Sequence, residues 1–143
     1  MMKNALATAA LIALLPLSGQ AADITLEVEG LDASRTAGSA LLVGVYTASN
    51  QWLDKAITGR SLPVDAAVNG KLTVVLKGLP DGPLALSLYH DANANGRLDM
   101  NPMGIPMEPY GFSNNAIGQY GPPKFEQALL TPAAGVSVKV RLN

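Results

Sequence analysis

Apolar and polar residues alternate with a period of two along most of this chain, and that rhythm admits few folds. Ile24, Leu26 and Val28 fall on one face of a strand, with Thr25, Glu27 and Glu29 on the other. Leu72, Val74 and Leu76 repeat the pattern, as do Leu84, Leu86 and Leu88. Val136, Val138, Val140 and Leu142 then alternate with Ser137, Lys139 and Arg141. Successive strand side chains point to opposite faces, so each run has one buried and one wet side. Residues 40–46 are more continuously apolar, as in a central strand covered on both faces. Asn69-Gly70 is the hairpin signal that needs positive φ, and Pro80-Asp81-Gly82 marks another reversal. Strands near 62–68, 71–77 and 84–90 therefore read as an antiparallel meander. Strand rhythm without a helix-length pattern predicts an all-β antiparallel sandwich with one short helix and one long ordered loop. Residues 49–57 are the expected helix, capped by Ser49, with Trp52, Leu53 and Ala56 on one side. Trp52 is expected to plug one end of the core. Residues 124–130 read as either a helical turn or an extended edge strand.

The amino terminus reads as a targeting segment. Lys3 gives a positive start, residues 5–17 are apolar apart from Thr8, and Ser18-Gly19-Gln20-Ala21-Ala22 offers small residues to a signal peptidase. Cleavage is expected after Ala21, with Ala22 the second choice. The apolar run is too short for a membrane span, which needs about 20 residues. Residues 1–21 are thus a signal peptide, residues 22–143 form one domain, and the expected location is the periplasm or the exterior. The chain contains no cysteine, which excludes disulfides, thiolate zinc sites, thiol nucleophiles and lipid attachment through a thiol. A net charge of −1 with scattered basic residues gives no phosphate-neutralising stripe, so nucleic acid is not an expected partner.

Residues 89–125 are unlike an ordinary connection. Tyr89, Tyr110, Phe112, Tyr120 and Phe125 lie there, with Pro102, Pro106, Pro109, Pro122 and Pro123. Ordering so long a loop costs about 1–2 kcal/mol per residue, so it needs a reason. Its start follows a twelve-position calcium loop: Asp91 at 1, Asn93 at 3, Asn95 at 5, Gly96 at 6, the Arg97 carbonyl at 7, Leu98 at 8 and Asp99 at 9. Pro102 stands at 12, where an EF-hand needs a bidentate carboxylate, and two flanking helices are missing. What remains is a half-complete oxygen cage with two carboxylates, completed by Glu108, Asn101, Asn114 or water. Such a cage suits a weak Ca²⁺ site, with a dissociation constant of about 10⁻⁴–10⁻³ M. The other reading is a turn held by its own side chains, because Asn and Asp readily bond nearby backbone amides.

His90 is the only histidine and continues the inward face of Leu84, Leu86 and Leu88. It reads as a structural residue at the rim of the core. The sharper alternative is a general base oriented by Asp91, Asp99 or Glu108. No nucleophile elbow, phosphate loop or HExxH motif accompanies it, so catalysis is the less favoured reading. Tyr110, Phe112, Asn114 and Tyr120 combine rings with an amide, the equipment of a sugar- or peptide-binding surface. The same rings would also dock a long loop on a sandwich.

The stretch HDANANGRLDMNPMGIPMEPYGFSNNAIGQYGPPKFEQA closely resembles the hallmark of a bacterial family of exported proteins known only as a domain of unknown function. Its signature runs HDxNxNGxLD, then GIPxEPYGFSNN, then FGPPxFExA, and Tyr120 stands where phenylalanine is usual. The resemblance covers the mature chain and implies a periplasmic or secreted sandwich similar to transthyretin-like or immunoglobulin-like modules. It brings no established activity, substrate or catalytic residue. The leading expectation is therefore a small exported binding or structural module, partnered by an exported protein, peptide or glycan. The rivals are an enzyme using His90 with Glu108 or Asp99, and a carbohydrate-binding module using Tyr110, Phe112 and Asn114.

Overall fold

A computed structural model describes residues 22–143; the signal peptide expected at residues 1–21 lies outside them. The strands are β1 (Ala22–Glu29), β2 (Ala40–Tyr46), β3 (Thr58–Pro63), β4 (Lys71–Leu79), β5 (Leu84–Asp91), β6 (Tyr110–Phe112), β7 (Leu129–Leu130) and β8 (Ser137–Arg141). One sheet has the order β4-β1-β8, and the other the order β3-β2-β5-β6 with β7 also paired to β5. The fold is an all-β sandwich. Its core is the inward face of each alternating run, including Ile24, Leu26, Val28, Leu41, Val43, Val45, Leu72, Leu76, Leu84, Leu86, Leu88 and Val140. Each such side chain contributes about 1.5–3 kcal/mol by leaving water.

Three expectations need correction. The meander does not form: β4 pairs with β1, β3 pairs with β2, and β5 pairs with β2. Pro80-Asp81-Gly82 carries the chain across from one sheet to the other. Residues 64–68 follow β3 as turns rather than continuing it, although Asn69-Gly70 does make a left-handed turn (φ 52° and 73°). The pairing is also not wholly antiparallel, because β8 lies parallel to β1. Finally, the helix expected over 49–57 is only a 3₁₀ turn, Ser49–Gln51, with Ala48 rather than Ser49 at its N-cap position.

After β8 the chain steps between sheets. Leu142 N–H donates to the Glu29 carbonyl, while Asn143 and Tyr110 exchange backbone bonds at 2.8 and 3.3 Å. This sews one side of the sandwich shut. Residues 124–130 satisfy both halves of their ambiguity, forming the helical turn α1 (Phe125–Ala128) and then β7.

The long segment lies on the outer face of the β3-β2-β5-β6 sheet and brings a second, smaller core. Tyr46 and Ala85 from that face meet Phe112, Phe125 and Ala128. Trp52 packs into this cluster, with ring centroids 4.9 Å from Tyr46, 5.7 Å from Phe112 and 5.9 Å from Phe125. Its indole N–H donates to the Pro123 carbonyl at 2.8 Å. Trp52 is thus a plug, but of the outer core, and it anchors the second half of the segment.

Candidate functional site

The turn at residues 91–99 is built around two buried carboxylates. Asp91 accepts from the Asn95 N–H at 3.1 Å and the Gly96 N–H at 2.7 Å. Glu108 accepts from the Ala92 N–H at 2.9 Å and the Asp99 N–H at 3.1 Å, clamping both ends of the turn. Both carboxylates are buried. Each therefore needs these partners, because an unpaired buried charge is costly. Gly96 has φ +79°, the left-handed conformation that the tight turn requires.

Asn93, Asn95 and Asp99 converge on one another. The amide nitrogens of Asn95 and Asn93 donate to the Asp99 carboxylate, and these bonds, Asn95's first, hold it below the usual carboxylate range. A cation would need the amide oxygens there instead. Turning the amides over gives up the Asn93 Oδ1 bond to the Asn95 N–H and the Asn95 Oδ1 bond to the Arg97 N–H. Among the described residues, no three His, Cys, Asp or Glu side chains are grouped to hold a metal ion. In this geometry the Asn and Asp side chains of the turn bond one another and the backbone.

His90 is fully buried. Its Nδ1 accepts from the Asp32 N–H at 3.1 Å, and its Nε2 lies 2.8 Å from Ser39 Oγ. Ser39 Oγ lies within donor range of the Arg35 and Thr36 carbonyls, so Nε2 carries the ring proton and the imidazole is neutral. Burial pushes its pKa below the ordinary 6.5. Glu108 and Asp99 are committed to the turn, and His90 does not line the groove described next. The buried Ser113 hydroxyl accepts from the Leu86 N–H at 2.9 Å and donates to the Ala128 carbonyl. Asn114 donates to the Leu129 carbonyl at 2.6 Å, stitching the turn that follows β6 to the α1–β7 junction.

Between the two halves of the long segment runs a groove of about 760 Å³. Tyr46, Ser87, Tyr89, Tyr110 and Phe112 line it from the sheet. Residues 98–106 and 116–123 supply its other sides, joined by Leu53. One wall is a tight turn in which Asn101 Oδ1 accepts from the Met103 and Ile105 N–H groups. That turn leaves Met100, Met103 and Ile105 exposed, with Met103 82% accessible. Ile117 (74%) and the fully exposed Tyr120 rise from the other side. Among the described residues, no lining residue carries a charged side chain.

Two lining residues hold a conformation that L side chains avoid. Leu53 has φ +60° and Tyr120 φ +58°. Asn and Gly occupy this region readily, but for Leu and Tyr it costs about 1–3 kcal/mol. Of the predicted ligand-binding residues, the structure brings Tyr110, Phe112 and Tyr120 to the groove and sends Asn114 elsewhere. Leu53, Met100, Met103, Ile105 and Ile117 were missed. The signal was present: Met and Ile in a Pro/Gly-rich stretch have no regular element to pack them into a core.

Fold and site together define a small all-β sandwich with a docked outer segment and a largely apolar groove. The chain belongs to the bacterial family described as an uncharacterized protein conserved in bacteria (DUF2141), whose model matches residues 27–139. No curated protein and no solved structure matches it.

Proposed function

We propose that this protein is a small exported binding module that receives its ligand in the groove between residues 98–106 and 116–123. The observation that carries the reading is the exposure of Leu53, Met100, Met103, Ile105, Ile117 and Tyr120 around one groove. Isolated exposed apolar residues are ordinary, but a contiguous set around a concavity marks an interaction site. Methionine suits such a lining because its unbranched chain adapts to the occupant. The carboxylate-clamped turn and the Trp52 anchor support the walls, so little ordering is left to be done on binding. Export rests on the leader-like residues 1–21.

Mapping a small-fragment library by amide chemical shifts tests this whatever the natural ligand is. Binding fragments should perturb residues 98–106 and 116–123, while the β3 and β4 amides stay still. Hits scattered over the surface, or gathered at the β3 and β4 edges, would remove the groove from consideration.

A cation-stabilised turn at Asp91, Asn93, Asn95, Arg97 and Asp99 is the second reading; it is favoured by the nearness of the Asn93 and Asn95 amides to the Asp99 carboxylate, and it needs both amides turned over. Calcium would then brace one wall of the groove. The enzyme and carbohydrate readings have less support. His90 is buried in the core, and among the described residues Asn143 is the only side-chain amide lining the groove.

A further inference from the structure

We infer that the groove takes an uncharged, largely hydrocarbon small molecule bearing at most one or two hydroxyl or carbonyl groups. The inference rests on the reading of the groove as the binding surface and names the class of occupant. Its volume, about 760 Å³, lies in the range that encloses a drug-sized ligand.

The polar inventory excludes the other classes in turn. A charged headgroup finds no charged side chain to pair with, because among the described residues no Asp, Glu, Lys or Arg lines the groove, and desolvating an unpaired charge is unfavourable. An oligosaccharide needs many donors and acceptors. The lining side chains among the described residues offer only phenols, Ser87 and Asn143, and Tyr89 already donates to the Gly96 carbonyl. Ser87 and Tyr46 lie 3.4 Å apart and bond each other.

A peptide that binds by strand addition needs a free strand edge for its own amides. Here the groove meets a sheet face. β5 is paired on one side with β2, as Gly44 to Ser87, and on the other with β6, as Ser87 to Phe112. Peptide groups laid on that face would lose water without gaining partners. A hydrocarbon has no such groups to satisfy. Its contacts would be the Met, Ile, Leu and aromatic surfaces now in water, including Tyr120 and Leu53 in their left-handed conformations. The phenol of Tyr110 is the natural partner for a single ligand hydroxyl or carbonyl.

The test uses the neutral solvatochromic dye Nile red on the purified protein, with competitors that differ in one property. Saturable, blue-shifted emission should be displaced by dodecanol. Dodecanoate, with the same chain length and a charge, should compete at least about tenfold more weakly. Maltotriose and a neutral apolar pentapeptide should not compete. The variant Met103→Ser/Ile117→Ser, altered only at exposed positions, should keep its melting temperature and lose at least about tenfold in dye affinity. Val68→Ser, exposed elsewhere, should bind as wild type. Competition by dodecanoate, maltotriose or the peptide equal to that of dodecanol overturns the hydrocarbon class and leaves the groove reading standing. Absence of saturable binding, or dye affinity unchanged in the double variant, overturns both.

Discussion

His90 shows how one buried residue can be read correctly for position and still be misread for partners. Its place at the end of the inward face of β5 follows from alternation, and it is indeed buried. Its partners, the Asp32 amide and Ser39, lie 58 and 51 residues away and leave no local sequence mark. The neutral ring has a pH consequence. Burial lowers its pKa, with Asp32 and Glu108 pulling it upward and Arg35 downward. The unfolded chain therefore binds the proton more readily, and stability present above about pH 6.5 is lost as pH falls below it toward the folded value. Asp32 acts in a separate window. The Ser34 hydroxyl, then Arg35, holds its carboxyl at about 2, so its contribution fades only below about 3.8. Denaturant melts of wild type and His90→Gln at pH 8 and pH 5 check this. Wild type should lose stability relative to the variant on acidification, and the variant should cost about 0.5–1.5 kcal/mol at pH 8. Parallel pH profiles would show that the imidazole is not held neutral by the fold.

At the scale of elements, most of the HDANANG…GFSNN sequence is spent on building the long segment. Pro109 accepts from the His90 N–H at 2.8 Å, Asn115 from the Arg141 N–H at 2.8 Å, and Gly111 lies where a Cβ would sit 2.7 Å from the Arg141 carbonyl. Gly118 is tighter still, since a Cβ there would run into the Gly121 carbonyl oxygen. The turn at 91–99 was legible as one of two arrangements, because Asx side chains bond amides or cations with the same atoms. Glu108 was legible as a group that could close this loop, but not as the acceptor of the Ala92 and Asp99 amides, which depends on a return of the chain 16 residues later. Melting separates the two arrangements. A bound calcium ion at ten times its dissociation constant adds about 1.4 kcal/mol, or roughly 4–8 °C, and Asp91→Ala should abolish that gain. Equal melting in millimolar calcium and in chelator assigns the turn to its own hydrogen bonds. Even then Asp91→Ala should destabilise, because the Asn95 and Gly96 amides lose their acceptor.

For the whole molecule, alternation was enough to give a sandwich but not its wiring. A strand with one apolar face looks the same whether the next strand lies beside it or opposite it. Hence β4 and β5 read as neighbours although they belong to different sheets. The parallel pairing of β1 with β8 joins the two ends of the domain and has no local signal at all. The groove is a property of the whole molecule in the same way, since Leu53, Tyr89, Met103 and Ile117 become neighbours only once the outer segment has docked.

That groove as a ligand site is the central claim, and oxidative footprinting of the methionines reads it directly. Met100 and Met103 line the groove, whereas Met107 is similarly exposed (62%) but lies outside it and serves as an internal control. Brief hydroxyl-radical exposure, with and without saturating Nile red, gives the sulfoxide yield at each position by peptide mass spectrometry. The dye should protect Met100 and Met103 and leave Met107 unchanged. Equal oxidation of all three with and without dye, or protection of Met107 alone, would contradict the account.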